Sequence, residues 1–182
     1  MIRFVGTGSV GLLCLIAILT AMGCQQNRSD EDTRPYINAD SQVEAGRYLV
    51  TVAGCNDCHT HGYLLKEGDI PEDQWLTGST IGWRGPWGTT YANNLRLRVQ
   101  EMSADDFVEI LHTRKKLPPM PWFNVVQMSE KDARAVYAYI KSLGPKGEHM
   151  PAPVPPGKEP ETPYFSLFPQ NMPEQPPAGG NP

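Results

Sequence analysis

The run Cys55-Asn56-Asp57-Cys58-His59 carries the most reactive chemistry in the chain. Two thiols three positions apart, followed at once by an imidazole, form a C-x-x-C-H pattern that is typical of covalent haem attachment. Each thiol would form a thioether with one vinyl group of the same haem, and the imidazole would reach the iron from that side. The pattern therefore predicts one covalent haem c, attached through Cys55 and Cys58, with His59 as the proximal iron ligand.

A redox-active dithiol and half of a zinc site remain as alternatives for the same two cysteines. The other cysteines of the sequence, Cys14 and Cys24, lie in its N-terminal segment and offer no second pair for zinc. A redox dithiol does not need a histidine directly after it, and no βαβ pattern surrounds this one. Both observations favour haem.

Residues 1–23 have the pattern of an export signal of the lipoprotein type. Arg3 is followed by an apolar stretch at residues 10–19 and then by small residues. That stretch is shorter than a membrane-spanning helix. The ending Ala21-Met22-Gly23-Cys24 predicts cleavage before Cys24 and lipidation of its thiol, with ordinary cleavage or an uncleaved anchor as alternatives. We therefore expect a lipid-anchored protein on the periplasmic side of a bacterial membrane.

The rest of the sequence divides into three parts. Residues 24–38 are polar and predict a solvated tether, and residues 39–145 predict one domain. Residues 146–182 are rich in proline and predict an extended, irregular tail. The apolar cluster at residues 164–168 would pack on the domain, recognise a partner or stay loose. The net charge of −4 and the lack of a basic stripe exclude nucleic acid as a partner.

Three segments with helical spacing of their apolar residues predict an all-α domain with three main helices around the haem. A serine stands at the start of each segment, where its side chain can cap the helix, and no segment shows convincing strand alternation. On the first helix, Gly46 would permit a close crossing with the third helix on the side of Tyr137. The predicted helices cover residues 41–52, 104–113 and 130–143.

Met120 is the predicted iron ligand on the distal face of the haem. It lies in the run Leu117-Pro118-Pro119-Met120-Pro121-Trp122, where prolines on both sides stiffen the loop and reduce the freedom lost on ligation. A His/Met pair fills both axial positions, which favours electron transfer over chemistry at iron. An open distal site remains an alternative. Structural roles are the simpler interpretation of the other candidates, Met102, Met128, Met150, His61 and His112.

These residues resemble the class I cytochrome c family, in particular the monohaem domains that accompany bacterial dehydrogenases. The resemblance covers about residues 41–145, and it rests on residues 45–49 before the attachment motif, the run at 86–95, the Pro119-Met120-Pro121 loop and the last helix. It implies a cytochrome c-like fold and an exported electron carrier that is not itself an enzyme. The sequence departs from the family at Asn93, where relatives often carry proline, and at Arg96.

The same resemblance implies further contacts with the haem. The propionates should lie near the loop at residues 83–91. The ring nitrogen of His59 that points away from the iron should donate to a backbone carbonyl, for which Pro86 is the candidate. The candidate haem-edge contacts in this loop are Arg84, Trp87 and Tyr91.

The leading functional hypothesis is a carrier that takes single electrons from a dehydrogenase or respiratory complex to an oxidase or another cytochrome. A haem-based peroxidase or gas-binding protein with a labile Met120 is the main alternative, but the sequence shows no evident distal acid–base histidine. A third hypothesis is a cytochrome subunit whose tail docks it permanently to one enzyme. Each hypothesis requires redox protein partners or small ligands that the sequence does not name.

Overall fold

The computed structural model describes Ile37 and residues 39–171. The predicted signal at residues 1–23, the lipidation site Cys24 and the end of the tail at residues 172–182 lie outside this described part. Among the described residues, no helix combines the length and the hydropathy that are needed to cross a bilayer.

Helices dominate the described part of the chain, and a small sheet accompanies them. The α-helices are α1 (Gln42–Val52), α2 (Cys55–His59), α3 (Leu95–Arg98), α4 (Ala104–Thr113), α5 (Trp122–Val125) and α6 (Glu130–Ser142). The strands are β1 (Gly82–Gly85), β2 (Gly88–Thr90) and β3 (Tyr164–Ser166). Short 3₁₀ turns occur at Leu64–Lys66, Glu72–Gln74 and Val99–Glu101.

The three predicted main helices are confirmed as α1, α4 and α6, and each is capped by its predicted serine. At α4 the Ser103 hydroxyl accepts from the Asp106 N–H at 3.1 Å, and the Asp106 carboxylate accepts from the Ser103 N–H at 3.0 Å. This is a complete capping box. Ser41 and Ser129 accept from the third residue of α1 and α6 in the same way. Local sequence therefore determines where these helices begin.

The expectation of an all-α domain is corrected by a three-stranded sheet with the order β2-β1-β3. Strand β1 pairs antiparallel with β2 and parallel with β3, so the third strand comes from the proline-rich tail. Strands of three or four residues are too short for a two-residue alternation to stand out in the sequence. Strand β3 also forms by pairing with β1, which is remote from it along the chain.

The described part of the tail packs on the domain, which was one of the three possibilities left open for it. Residues 146–168 form what we call the strap. The backbone groups of Thr89 and Val154 exchange two hydrogen bonds of 2.8 and 2.9 Å. The ring of Phe165 lies 5.0 Å from the ring of Trp83. The strap thus contributes both backbone pairing and aromatic packing.

Helices α1 and α6 cross closely at Gly46, although the partner differs from the predicted one. A Cβ atom at Gly46 would lie 2.0 Å from the carbonyl oxygen of Ala135 and 2.7 Å from the Cβ of Tyr139. Tyr137, which was expected at this crossing, instead packs on Phe107 with 5.6 Å between the ring centroids. Only glycine fits this approach without displacing backbone.

A polar network joins α1 and α6 beside this crossing. The Arg47 Nε and the Tyr139 hydroxyl both donate to Glu72 Oε1, each at 2.8 Å. The hydrogen bond from Arg47 holds the pKa of the Glu72 carboxyl below its ordinary value. Burial raises the pKa of the Tyr139 hydroxyl, so this group stays a donor.

Arg96, one of the two departures from the family pattern, is a buried structural residue with 5% of its surface exposed. Its guanidinium donates to the carbonyl oxygens of Gly144 at 2.6 Å, of Asp73 at 2.7 Å and of Leu143. The bonds to Gly144 and Leu143 satisfy carbonyl groups that the end of α6 would leave without partners. Arg96 therefore fixes the last helix to the loop that precedes the sheet.

Candidate functional site

The attachment motif forms one wall of an apolar cleft. The cleft has a main lobe of about 940 Å³ and an outer lobe of about 480 Å³. The residues that line both lobes are Cys58, His59, Asn93, Leu95, Arg114 and Met120.

Helix α2 places the two thiols and the imidazole of the motif. Gly54 precedes it with φ 66°, a left-handed conformation that allows the chain to turn sharply out of α1. Cys55 and Cys58 are three positions apart on this helix, so their side chains lie on neighbouring positions of one face. His59 is the last residue of the helix. The spacing of the motif thus brings its two thiols and its imidazole together at the cleft.

The His59 ring is oriented by a hydrogen bond to backbone. Its Nδ1 lies 2.7 Å from the carbonyl oxygen of Asn93. A carbonyl can only accept, so Nδ1 carries the proton and the Nε2 lone pair is available to a metal. Burial also lowers the pKa of His59, which favours the neutral ring that ligation requires. The acceptor is therefore Asn93 and not Pro86, which the resemblance had suggested.

The two thiols do not have the electrostatics of a redox dithiol. Burial is the main cause that raises the pKa of Cys55 to about 11, and burial also raises the pKa of Cys58. The nearby Asp57 adds to both shifts. A reactive dithiol needs at least one thiol with a lowered pKa. These environments suit sulfurs that are bound in thioethers.

Met120 stands on the wall of the cleft, in the loop between α4 and α5. It lines both lobes together with His59. Met102 and Met128 also line the main lobe, but both pack against the hydrophobic core. Met150 lies elsewhere, against the backbone at Gly78. The structure therefore brings Met120 to the cleft and leaves Met102 and Met128 as rivals that a variant can test.

The two candidate histidines do not line either lobe. The Nδ1 of His61 lies 3.3 Å from the Ser79 hydroxyl. The Nε2 of His112 lies 2.9 Å from the carbonyl oxygen of Met128. Both rings are therefore engaged outside the cleft.

Of the three predicted haem-edge contacts, Tyr91 lines the outer lobe. Its hydroxyl lies 2.7 Å from that of Thr162 in the strap. Trp87 does not line the cleft and packs over Gly85. Its Nε1 is buried and has no hydrogen-bond partner among residues 39–171.

Arg84, the third predicted contact, faces away from the cleft because of the strand register. Residue Trp83 pairs with Thr90, and both line the outer lobe. Neighbouring residues of a strand point to opposite faces of the sheet, so Arg84 points to the other side. There it forms an ion pair with Glu159, and its guanidinium lies 5.1 Å from the ring centroid of Tyr164.

Arg114 is a cleft residue that the sequence analysis did not identify. It begins the short basic run Arg114-Lys115-Lys116, whose charge alone predicts a solvated helix end or a docking face for an acidic partner. In the structure it is half-buried, lines both lobes and has no side-chain hydrogen bond or ion pair within the described residues. Burial lowers its pKa. Its place directly before residues 115–121, the loop that carries Met120 and that we call the methionine loop, was the available signal.

The lining of the cleft fits a porphyrin that is attached through sulfur. The walls are mostly apolar, the motif supplies two sulfurs and a neutral imidazole, and the methionine loop supplies a thioether. Arg114 adds a cation that has no ion-pair partner among the described residues. Such a cation could pair with the carboxylates of a haem.

The family model described as Cytochrome c matches residues 43–144. This span is more than half of the chain, and it includes all of the residues that line the two lobes of the cleft. The strap lies outside it. No curated protein and no solved structure matches the sequence.

Proposed function

Because the chain belongs to the cytochrome c family, we propose that it carries single electrons between protein partners by means of one covalent haem c. Haem attached to the chain supplies one-electron exchange. Cys55 and Cys58 hold it through thioethers, and His59 and Met120 bind its iron. One electron enters from a reduced partner, which is oxidised, and later leaves to an oxidised partner, which is reduced. No bond has to form or break.

The observation that carries this proposal is the shared cleft of an imidazole and a thioether. The hydrogen bond to Asn93 commits Nδ1 of His59, so only Nε2 can bind iron. Met120 lines the same two lobes as His59. A haem held by both side chains would offer no free site for peroxide or a gas. The arrangement therefore favours electron transfer over the peroxidase alternative.

Other residues of the cleft orient the group and exclude water. The apolar wall includes Leu95, Phe107 and Val136, which keep the iron environment at low dielectric and thereby influence the potential. Arg114 is the cation that would pair with the haem carboxylates. It takes the role that the resemblance suggested for Arg84, whose guanidinium is engaged by the strap.

The redox partners that we propose are a dehydrogenase or respiratory complex as donor and an oxidase or another cytochrome as acceptor. The methionine loop and helix α5 offer a surface for such encounters. Leu117 and Phe123 are 51% and 57% exposed, and Lys115 and Lys116 are also exposed. This basic and apolar surface would meet an acidic face of the partner, so the rate of electron transfer should fall as ionic strength rises.

We also propose that the protein is exported and held at the periplasmic side of a membrane. Support comes from the sequence of residues 1–23, which resembles a lipoprotein signal, and from the thiol of Cys24. Residues 24–38 would be the tether and residues 39–145 the cytochrome domain. Intact-mass analysis of the mature protein tests this proposal, because acyl groups on Cys24 add mass that a Cys24→Ala variant lacks.

The decisive experiment is a spectrum of the oxidised protein. We expect a sulfur-to-iron charge-transfer band in the full-length protein, lost in Met120→Ala and retained in the matched variants Met102→Ala and Met128→Ala. If the band survives in Met120→Ala, Met120 is not the distal iron ligand. Rapid carbon monoxide binding by the reduced protein at neutral pH would contradict the electron-carrier proposal and favour the gas-binding alternative.

A further inference from the structure

The methionine loop has few hydrogen bonds with the rest of the fold. Pro118, Pro119 and Pro121 have no backbone N–H, so this loop can be held mainly through its carbonyl oxygens. The Thr90 hydroxyl donates to the carbonyl oxygen of Pro118 at 2.7 Å. Within the described residues, this is the one hydrogen bond that links residues 115–121 to a part of the fold other than the adjoining helix α5.

Thr90 is itself fixed by the sheet and the strap. It pairs with Trp83 across strands β1 and β2. The preceding residue, Thr89, exchanges two backbone hydrogen bonds with Val154 in the strap. The carbonyl oxygen of Trp83 is a more distant acceptor for the Thr90 hydroxyl, at 3.5 Å. The hydroxyl therefore reaches the loop from a rigid strand that is held on both sides.

The position of Pro118 gives this bond its consequence for the iron. It stands two residues before Met120, and prolines restrict the backbone between them. A shift of the Pro118 carbonyl would therefore be transmitted to the Met120 sulfur with little absorbed by the loop.

Given the proposed function, we infer that Thr90 is a positioning residue for Met120 that keeps the distal sulfur on the iron. The hydroxyl lowers the population of loop conformations in which the sulfur has left. A neutral hydrogen bond shifts such an equilibrium by about two- to tenfold. The expected effect is on ligand exchange, and the attachment of haem through Cys55 and Cys58 should be unaffected.

Ligand exchange on the oxidised full-length protein tests this inference, with imidazole as the probe. In each exchange the iron–sulfur bond breaks and an iron–nitrogen bond forms, with no change of oxidation state. At saturating imidazole the observed rate is that of sulfur dissociation. Thr90→Val keeps the branched shape and removes the donor, so the rate should rise about two- to tenfold. Thr90→Ser keeps the donor and should restore the wild-type rate.

Thr51→Val is the matched control. Its hydroxyl donates to the carbonyl oxygen of Arg47 at 2.9 Å within α1, away from the methionine loop. This variant should exchange at the wild-type rate. If Thr90→Val does not hold its fold, judged by circular dichroism, Thr90→Ala is used with the same expectation.

Two results would overturn the inference. One is that Thr90→Val, or Thr90→Ala in its place, exchanges at the same rate as the wild-type protein. The other is an equal acceleration in Thr90→Ser, since shape and not the donor would then be responsible. In both cases the proposed function stands as long as Met120→Ala loses the charge-transfer band. If that band persists, the proposed function itself fails.

Discussion

The proximal and distal sides of the cleft are stabilised in different ways. On the proximal side, His59 belongs to the same short helix as the attachment cysteines, and its ring is oriented by the Asn93 carbonyl at 2.7 Å. On the distal side, Met120 lies on a proline-rich loop that Thr90 ties to the sheet. Local sequence thus places the proposed proximal ligand, while contacts remote along the chain place the proposed distal one. The distal ligand should therefore leave first under any perturbation.

The largest effect should follow removal of the proximal ligand. We expect His59→Ala to lower the haem content of the purified protein by at least about tenfold. Removing a hydrogen bond that only supports a metal ligand already lowers metal affinity by about tenfold or more, and removing the ligand itself should have at least that effect. Met120→Ala should keep its covalent haem and change only the spectrum. The ratio of haem absorbance to protein measures both. His61→Ala, whose ring lies outside the cleft, is the control, and equal haem contents in all three variants would contradict the asymmetry.

A glycine comparison tests the scaffold of the proximal side. Gly46→Ala should lower the free energy of unfolding by about 3 kcal/mol, because its Cβ would overlap the backbone of Ala135. Gly62→Ala has open space around the new Cβ and a φ of 75°, so only conformational strain of about 1 kcal/mol is expected. Denaturant titrations followed by circular dichroism give both values. Similar losses in the two variants would mean that the α1–α6 crossing is not tight.

An aromatic pair tests the strap on the distal side. Phe165→Ala removes the packing on Trp83, which lines the outer lobe, and should cost about 1.5 kcal/mol of stability. It should also speed the exchange of imidazole for Met120. Phe168→Ala is the matched control, because Phe168 is 43% exposed, and its loss should be less than about 0.5 kcal/mol. Thermal unfolding and imidazole exchange rates are measured for both variants. A wild-type exchange rate in Phe165→Ala would show that the strap does not influence the methionine loop.

The smallest effect concerns the acid stability of the proximal scaffold. Arg47 lowers the pKa of Glu72 in the folded state, so the carboxylate stabilises the fold above its unfolded pKa. This contribution is lost as pH falls through the folded pKa. The pair is well exposed, so its contribution is below about 1 kcal/mol. Glu72→Gln should lower stability at pH 7 and reduce its decline in acid.

Unfolding free energies measured at neutral and acid pH test the Glu72 prediction. Glu109→Gln provides the control, because Glu109 forms no ion pair within residues 39–171. The control should follow the wild-type curve. An unchanged curve for Glu72→Gln would show that the Arg47 contact does not stabilise the fold.

Those features of the fold that depend on local sequence could be predicted. The serine caps located α1, α4 and α6, and the resemblance to cytochrome c is confirmed by the family match. The association with dehydrogenases stays a prediction. Local pattern did not locate the sheet, because its strands are short and β3 pairs with a remote edge. For the same reason the direction of Arg84 could not be inferred without the register of β1.

Burial of charged side chains was also beyond the reach of local pattern. Arg96 stands two residues before Arg98, and Arg114 directly precedes Lys115. Yet Arg96 is buried among carbonyl oxygens and Arg114 lines the cleft. Their surroundings come from segments that only the folded chain brings together. The sequence of a basic run shows charge, but not which of its members faces the interior.

The pairing of β1 with the strap also has a consequence for the order of assembly. Its partners are separated by most of the domain, so closing this contact carries a large loop-closure cost and should come late in folding. Every described residue that lines the cleft precedes the strap in the chain, so the cleft can form before the strap docks. An enzyme that joins haem to Cys55 and Cys58 would then act on a domain whose β1 edge is still unpaired, and docking of the strap would fix that edge and Trp83 in the finished product.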